Sequence, residues 1–395
     1  MKKLVEVEYL RAVAIIFTLI QHLGLLFMPS AEAWAVVNKN NPYWGGVDLF
    51  FCISGFVISR RMVDSWSSME KNRVYWAEVL RFWIRRFFRI VPTLALWVGL
   101  SLVCSVWFNY SGAFGPIWPN IYDSLAAIFN YSNFHIFNCV MGYSQCGPNP
   151  VYWSLSLEEQ FYLLLPLLFL LPANILKFII GAAVIFQLFI HRMPWEQSVG
   201  GALWFVRTDA LLLGVLLAFS TKSYAYSRAA EFLELKRLLS WTVAVVLIIA
   251  LSLIPRSGAY LAAGGIAVVS FLLVTLASFD RGLLAPRDGR MRWASWIGGR
   301  SFSIYLVHLP VSYMVNEIAY RISGQSLSYK YPLPHSSLDL VYAFTVLISV
   351  LVIAELNYRL VETPLRRIGV TLANNLGRKR LNSSNVGSVY GGSSK

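Results

Sequence analysis

Apolar residues along this chain gather into ten runs divided by short polar or basic stretches, near 10–29, 46–63, 90–108, 153–172, 175–191, 203–220, 239–255, 259–279, 301–320 and 339–359. Runs of this length suit helices crossing a hydrocarbon core roughly 30 Å thick. The pattern predicts an all-α, polytopic transmembrane bundle of about ten helices, which places both termini on one side. Two of the runs carry polar stripes. In YLRAVAIIFTLIQHLG, residues 9–24, Arg11 and His22 stand eleven positions apart. At about 100° per residue they fall within about 20° of one helix face, about 16 Å apart along the axis. Ala14, Ile15, Thr18 and Gln21 share that face. In GGRSFSIYLVHLPV, residues 298–311, Ser301, Tyr305 and His308 begin a second stripe that Ser312 continues, at i, i+4, i+7 and i+11. His308 lies about 12 Å in from Arg300, a depth matching that of His22 in its own run. Ionisable groups are costly against lipid, by several kcal/mol, so both stripes are expected to face a protein interior or a watery cavity.

Other polar clusters sit at the ends of the runs. GVDLFFCISGF puts Asp48 at the outer boundary, and Asp48, Cys52, Gly55 and Ser59 share a face small enough for close helix contact. Ser54 reads either as a packing residue or as a nucleophile. RFWIRRFFRIVP places Arg81, Arg85, Arg86 and Arg89 at the inner mouth of the third run, either as anchoring charge or as a clamp for a phosphate-rich donor. WSLSLEEQFYLLLP brings Glu158 and Glu159, which point about 100° apart, so at most one aims well at a given site. One could act as acid, base or partner to an imidazole, and an ion pair with Arg207 is the structural alternative. Arg207 and Asp209 in WFVRTDALLLG also need partners, which the carboxylates of the second and fourth runs can supply. Glu355, Arg359 and Glu362 in AELNYRLVETPLRR read as an inner-face clamp. His135 and His335 lie in outer loops and His191 at a helix end, where they carry little signal.

Composition agrees with the pattern. Hydrophobic residues make up 57% of the 395, charged residues 14%, and mean hydropathy is +0.56; soluble domains hold about 25% charged residues. A net charge of +14 invites a nucleic-acid reading. The basic residues are not pooled into one patch, however: 27 of the 34 Lys and Arg fall between runs on the side of the N-terminus. That asymmetry excludes nucleic acid as the partner and makes both termini cytoplasmic. Lys2, Lys3 and Ala31-Glu32-Ala33 imitate a signal peptide, but the polar stripe and the length of the run argue for a retained first helix.

Cys52 and Cys104 sit in apolar runs, whereas Cys139 and Cys146 share the outer stretch 109–152, which has no Lys or Arg, and would pair in an oxidising compartment. No spacing resembles a zinc site, and no metal is expected. Residues 1–369 form the membrane unit, and 370–395, ending SSNVGSVYGGSSK, read as a polar, disordered cytoplasmic tail.

Taken as an ordered set over about residues 8–369, these stretches resemble the acyltransferase-3 family of membrane-bound O-acyltransferases. The resemblance runs through Arg11-x10-His22, GVDLFFCISGF, Arg86-x-x-Arg89, WSLSLEEQFY, RTDALLLG, SFSIYLVHLPV and VETPLRR. It implies a multi-pass protein of a bacterial inner membrane, in a stand-alone form without a fused esterase-like domain. It also implies transfer of an acyl group, commonly acetyl from cytosolic acetyl-coenzyme A, to a hydroxyl of an extracytoplasmic glycan or lipid-linked sugar, or in some members to a small molecule such as a macrolide. His22 would act as general base or transient acyl carrier, with Glu158, Glu159 and His308 as further catalytic candidates. Arg11, Arg85, Arg86 and Arg89 would hold the acyl-CoA, and Asp48, Tyr305 and Arg207 would meet the acceptor. Glu158 or Glu159 would hold the second ring nitrogen of His22. A secondary transporter built on intramembrane His, Asp and Arg, or a non-catalytic scaffold, is the competing class, and the sequence leaves a homo-oligomer open.

Overall fold

The computed structural model describes residues 4–22, 43–65, 69, 73–190, 203, 207–256, 261–286, 289–323 and 337–389, with side chains described as far as 376. His191, His335 and residues 23–29 of the first apolar run lie outside them. Helix is the only regular structure among the described residues, with no strand. The helices are α1 (Val5–Gln21), α2 (Gly45–Ser65), α3 (Arg73–Trp107), α4 (Ile117–Ile128), α5 (Ser132–Val140), α6 (Tyr152–Leu168), α7 (Ala173–Leu188) and α8 (Asp209–Ser220). They continue as α9 (Tyr224–Leu235), α10 (Arg237–Arg256), α11 (Ala262–Phe279), α12 (Arg292–Gly299), α13 (Ser301–Ser323), α14 (Ser337–Asn357) and α15 (Thr363–Val389). A π-helical turn, Tyr358–Glu362, joins the last two.

Every expected run holds a helix. Four are long and apolar enough to cross a bilayer: α3, α10, α11 and the continuous stretch Val341–Leu376. α7 and α8 are apolar but shorter. Large apolar side chains stand exposed along these helices, among them Val103 and Val106 on α3, Val245 and Ile249 on α10 and Ile348 and Val352 on α14. Apolar surface on this scale needs a lipid or protein neighbour, and the chain is a membrane protein.

Glycines set the closest helix approaches. A Cβ on Gly55 of α2 would lie 2.0 Å from the Leu211 carbonyl oxygen, and one on Gly214 of α8 would lie 2.2 Å from that of Cys52. Only hydrogen fits at either position, which lets the two backbones touch and dispersion contacts accumulate. α1 is fixed at its N-terminal end. The Asp280 carboxylate, just past α11, accepts from the backbone N–H groups of Val5 at 3.0 Å and Glu6 at 3.4 Å, satisfying donors that a helix start leaves open. Gly298 of α12 lies against the Glu8 carbonyl, where a Cβ would come within 2.0 Å.

Two expectations shift here. α1 ends at Gln21, with His22 as its C-cap, so His22 stands at the end of the described helix rather than in the middle of one running to residue 29. The stretch 109–152, read as an outer loop, holds α4 and α5. Their pattern is inverted: Asn120, Asp123, Asn133 and His135 are buried, while Trp118, Tyr122 and Phe129 are exposed. Asp123 organises the inner side, accepting from Gly147 N at 3.0 Å and Asn149 N at 3.1 Å and bonding His135 Nε2 at 3.0 Å. Cys139 and Cys146 form a disulfide beside it. Past Gly369, where the composition turns polar, the helical backbone continues to Val389, and Ala373 is buried.

Candidate active site

The two polar stripes meet. The rings of His22 and His308 lie 5.2 Å apart between centroids, tilted by 42°. Nδ1 of His308 donates to the Tyr305 carbonyl one turn earlier on α13, at 2.6 Å. A carbonyl only accepts, so this bond fixes the neutral tautomer and leaves the lone pair on Nε2. That Nε2 is buried and has no hydrogen-bond partner among the described residues, and the same holds for Nδ1 of His22. A buried polar atom left without a partner costs about 1–3 kcal/mol. Two such nitrogens in adjoining rings therefore mark a place where a further donor or acceptor fits.

Tyr305 connects the pair to a cavity. Its ring lies 5.7 Å from that of His308. Its hydroxyl donates to the Val151 carbonyl and bonds Ser154 Oγ at 2.7 Å, locking α13 against α6. Tyr305 and Ser154 line a narrow cavity of about 100 Å³ that also takes in Ser54, Glu158, Ser301, Arg11, Arg86 and Arg89. Arg11, Arg86 and Arg89 are shared with a second, wider cavity of about 820 Å³, so the two adjoin. Arg60, Arg61, Arg85 and Arg366 complete the basic lining of the wider one. Arg11 pairs with Glu8 at 2.5 Å. Among the described residues, the six arginines Arg60, Arg61, Arg85, Arg86, Arg89 and Arg366 have no carboxylate within ion-pair distance. Glu8, Asp64 and Glu78 also line the wider cavity, but the arginines outnumber them, and such a lining suits an anion, since each guanidinium offers forked N–H donors to a phosphate.

The expected residues thus divide. Arg11, Arg85, Arg86, Arg89, Glu158 and Tyr305 line the two adjoining cavities, and the ring of His308, with His22 beside it, lies next to that of Tyr305. Neither carboxylate holds His22. Glu158 accepts from the Tyr162 hydroxyl one turn along α6, and Arg86 stacks over the Tyr162 ring at 4.4 Å. Glu159 is buried, with Oε1 unpartnered among the described residues. The expected carboxylate-to-imidazole bond is therefore absent among the described residues, because α6 turns Glu158 toward the arginines.

Asp48 and Arg207 stand apart from the cavities. They bond each other at 2.7 Å, both 1% exposed, and Arg207 stacks over Trp44 at 4.8 Å. Neither lines either of these two cavities, and the Arg207 partner is Asp48 rather than Glu158 or Glu159. The inner clamp also differs from its expected form. Glu355 bonds Arg300 at 2.5 Å and pairs with Arg359, while Glu362 accepts from Ser303 at 2.8 Å. The π turn adds one residue between them, rotating the downstream side chains by about 100° relative to an α-helical face. Ser303 also accepts from Asn357 Nδ2 at 2.8 Å, and Asn357 accepts from Trp97 Nε1 at 2.9 Å, so one buried network ties α13 and α14 to α3. Sequence reasoning passed over Ser303 and Asn357, and counted Arg60, Arg61 and Arg366 only as anchoring charge.

A helical membrane protein with arginine-lined cavities and, beside them, paired histidines is the class that fold and site define. The family described as acyltransferase domain, the acyltransferase-3 family, matches residues 4–354, and the chain belongs to it. O-acetyltransferase OatA of Staphylococcus aureus is 29% identical over 382 residues, covering 91% of this chain and 57% of the relative. Peptidoglycan O-acetyltransferase OatA of Listeria monocytogenes is 26% identical over 387 residues, covering 92% of this chain and 56% of the relative. The chain thus spans little more than half the length of these curated relatives. No solved structure matches it.

Proposed function

We propose that this protein is an integral membrane O-acyltransferase that moves an acyl group, acetyl in the first instance, from cytosolic acyl-CoA to a hydroxyl of an extracytoplasmic glycan or lipid-linked sugar. The observation that carries this reading is the set of six arginines without carboxylate partners, lining a cavity that narrows toward Tyr305 beside the histidine pair. The phosphates of coenzyme A bind Arg85, Arg86 and Arg89 at the cytoplasmic side, and the acyl-pantetheine arm follows the narrow extension. Arg11, neutralised by Glu8, adds a directed donor at the mouth of that extension without further raising the local charge.

The acceptor hydroxyl arrives from the opposite side, at His22. His22 takes the hydroxyl proton as the oxygen attacks the thioester carbonyl, the carbon–sulfur bond breaks, and the proton passes to the departing thiolate. His308 supports this step as a neutral neighbour whose tautomer is set by Tyr305. A variant route, in which a ring nitrogen of His22 first carries the acyl group, is supported by its buried, unpartnered Nδ1. The two separate in a rapid-mix experiment with acetyl-CoA and no acceptor: a stoichiometric burst of free thiol supports the carrier, and its absence supports direct transfer. Peptidoglycan is named for the Listeria relative and is the first acceptor to test here. Purified protein is expected to release thiol from acetyl-CoA in sustained turnover only with a glycan acceptor present; turnover that ignores the acceptor overturns the proposal.

A further inference from the structure

The arginine cavity has a smaller neighbour. A cavity of about 320 Å³ lies where the end of α2 meets the turn between α8 and α9, and it shares Arg60 and Asp64 with the larger one. Its wall also carries Lys222, Arg281 and the hydroxyl groups of Thr221 and Ser227. Arg60 stands on the shared wall, and its Nη1 is buried with no hydrogen-bond partner among the described residues. Lys222 Nζ lies 3.3 Å from the Val63 carbonyl and 3.4 Å from the Asp64 carboxylate, which hold the ammonium at the rim. Arg281 is steadied by Glu234 at 2.8 Å, from outside the lining. Burial raises the phenol of Tyr226, another wall residue, while Arg60 and Arg281 pull it the other way, so both guanidinium groups act at this one place.

Three cations, one lining carboxylate and a rim of hydroxyl groups fit one ligand chemistry well. A phosphate monoester carries close to two negative charges near neutral pH and three oxygens that accept from forked donors and hydroxyls. Coenzyme A presents phosphate in two separate places, a diphosphate between pantetheine and adenosine and a monoester on the ribose 3′ oxygen. With the diphosphate on Arg85, Arg86 and Arg89 and the acyl arm directed toward Tyr305, the adenosine end extends the other way, toward Arg60. We infer that the cavity of Arg60, Lys222 and Arg281 is the docking site for the 3′-phosphate of the donor, an inference that rests on the acyl-CoA reading above. It gives the protein a means of telling a coenzyme A thioester from an acyl-phosphopantetheine carrier, whose thioester arm has no adenosine and no 3′-phosphate.

The test is equilibrium binding of acetyl-CoA and 3′-dephospho-acetyl-CoA to the full chain in lipid nanodiscs, for the wild type, Lys222→Gln and Arg281→Gln. Wild type is expected to bind acetyl-CoA about tenfold more tightly than the dephospho form, the low end for a hydrogen bond to a charged group. Each variant is expected to lose that preference while keeping wild-type affinity for the dephospho form, which also shows that it is folded. Equal binding of both forms by wild type, or a preference that survives in both variants, overturns the inference and leaves the donor reading intact. Failure of wild type to bind either form overturns the donor reading, and this site with it.

Discussion

His22 and His308 are 286 positions apart and meet at 5.2 Å between ring centroids. Their meeting was legible in outline, because each histidine interrupts an apolar run on a polar stripe at a similar depth. The tautomer was not, since it depends on the Tyr305 carbonyl accepting from Nδ1 within the folded helix. Replacing His308 with Gln is expected to lower kcat by about 10²–10⁴, the usual share of a positioned acid–base group, with little change in acetyl-CoA affinity; loss of affinity with kcat preserved would move His308 out of the chemistry. At the cavity mouth, Arg86→Lys keeps the charge and loses the planar fork that stacks on Tyr162. Its acetyl-CoA Kd is expected to rise about tenfold or more by isothermal calorimetry, and an unchanged Kd would argue against a bidentate phosphate contact. Glu158 illustrates the limit of residue-level reading. Its neighbour in sequence and its helix face gave no sign that the Tyr162 hydroxyl, under the Arg86 guanidinium, would claim it in place of His22.

At the scale of elements, the pair of α2 and α8 shows what small residues and one ion pair accomplish together. Gly55 and Gly214 admit backbone contact, and Asp48 with Arg207 closes the same two segments by a buried bond. The small face of Asp48, Cys52, Gly55 and Ser59 was readable from spacing alone, but which carboxylate would meet Arg207 was not, because several lay within reach. Removing one partner strands a charge: Asp48→Leu is expected to cost about 3–5 kcal/mol, and adding Arg207→Met should restore most of it. Thermal unfolding in detergent checks this, and a double variant no more stable than the single would contradict it. Gly214→Val should abolish a monodisperse preparation, whereas Gly99→Ala, with no atom within 4 Å of the new Cβ, should leave it unchanged. The helices of 109–152 escaped sequence reading for a physical reason. Their polar sides turn inward onto Asp123 and their aromatic sides outward, the reverse of the pattern that marks a helix on a soluble core.

For the molecule as a whole, the distribution of charge was the most informative feature of the sequence. Basic residues between and beyond the apolar runs looked like topology signals, and the fold gathers Arg60, Arg61, Arg85, Arg86 and Arg89 of one basic segment with the distant Arg366 around one space. Anchoring and the proposed anion binding thus draw on the same charges, which is why the linear sequence could not separate the two. Tyr305 stands between the narrow cavity and the histidine pair, so the proposed donor binding and transfer should be separable. Acetyl-CoA binding and acceptor-dependent thiol release, measured side by side on purified wild type and His22→Ala with a soluble peptidoglycan fragment as acceptor, test that separation. The variant is expected to bind acetyl-CoA with the wild-type Kd and release no thiol; acceptor-dependent release by His22→Ala at the wild-type rate would contradict the central role given to His22.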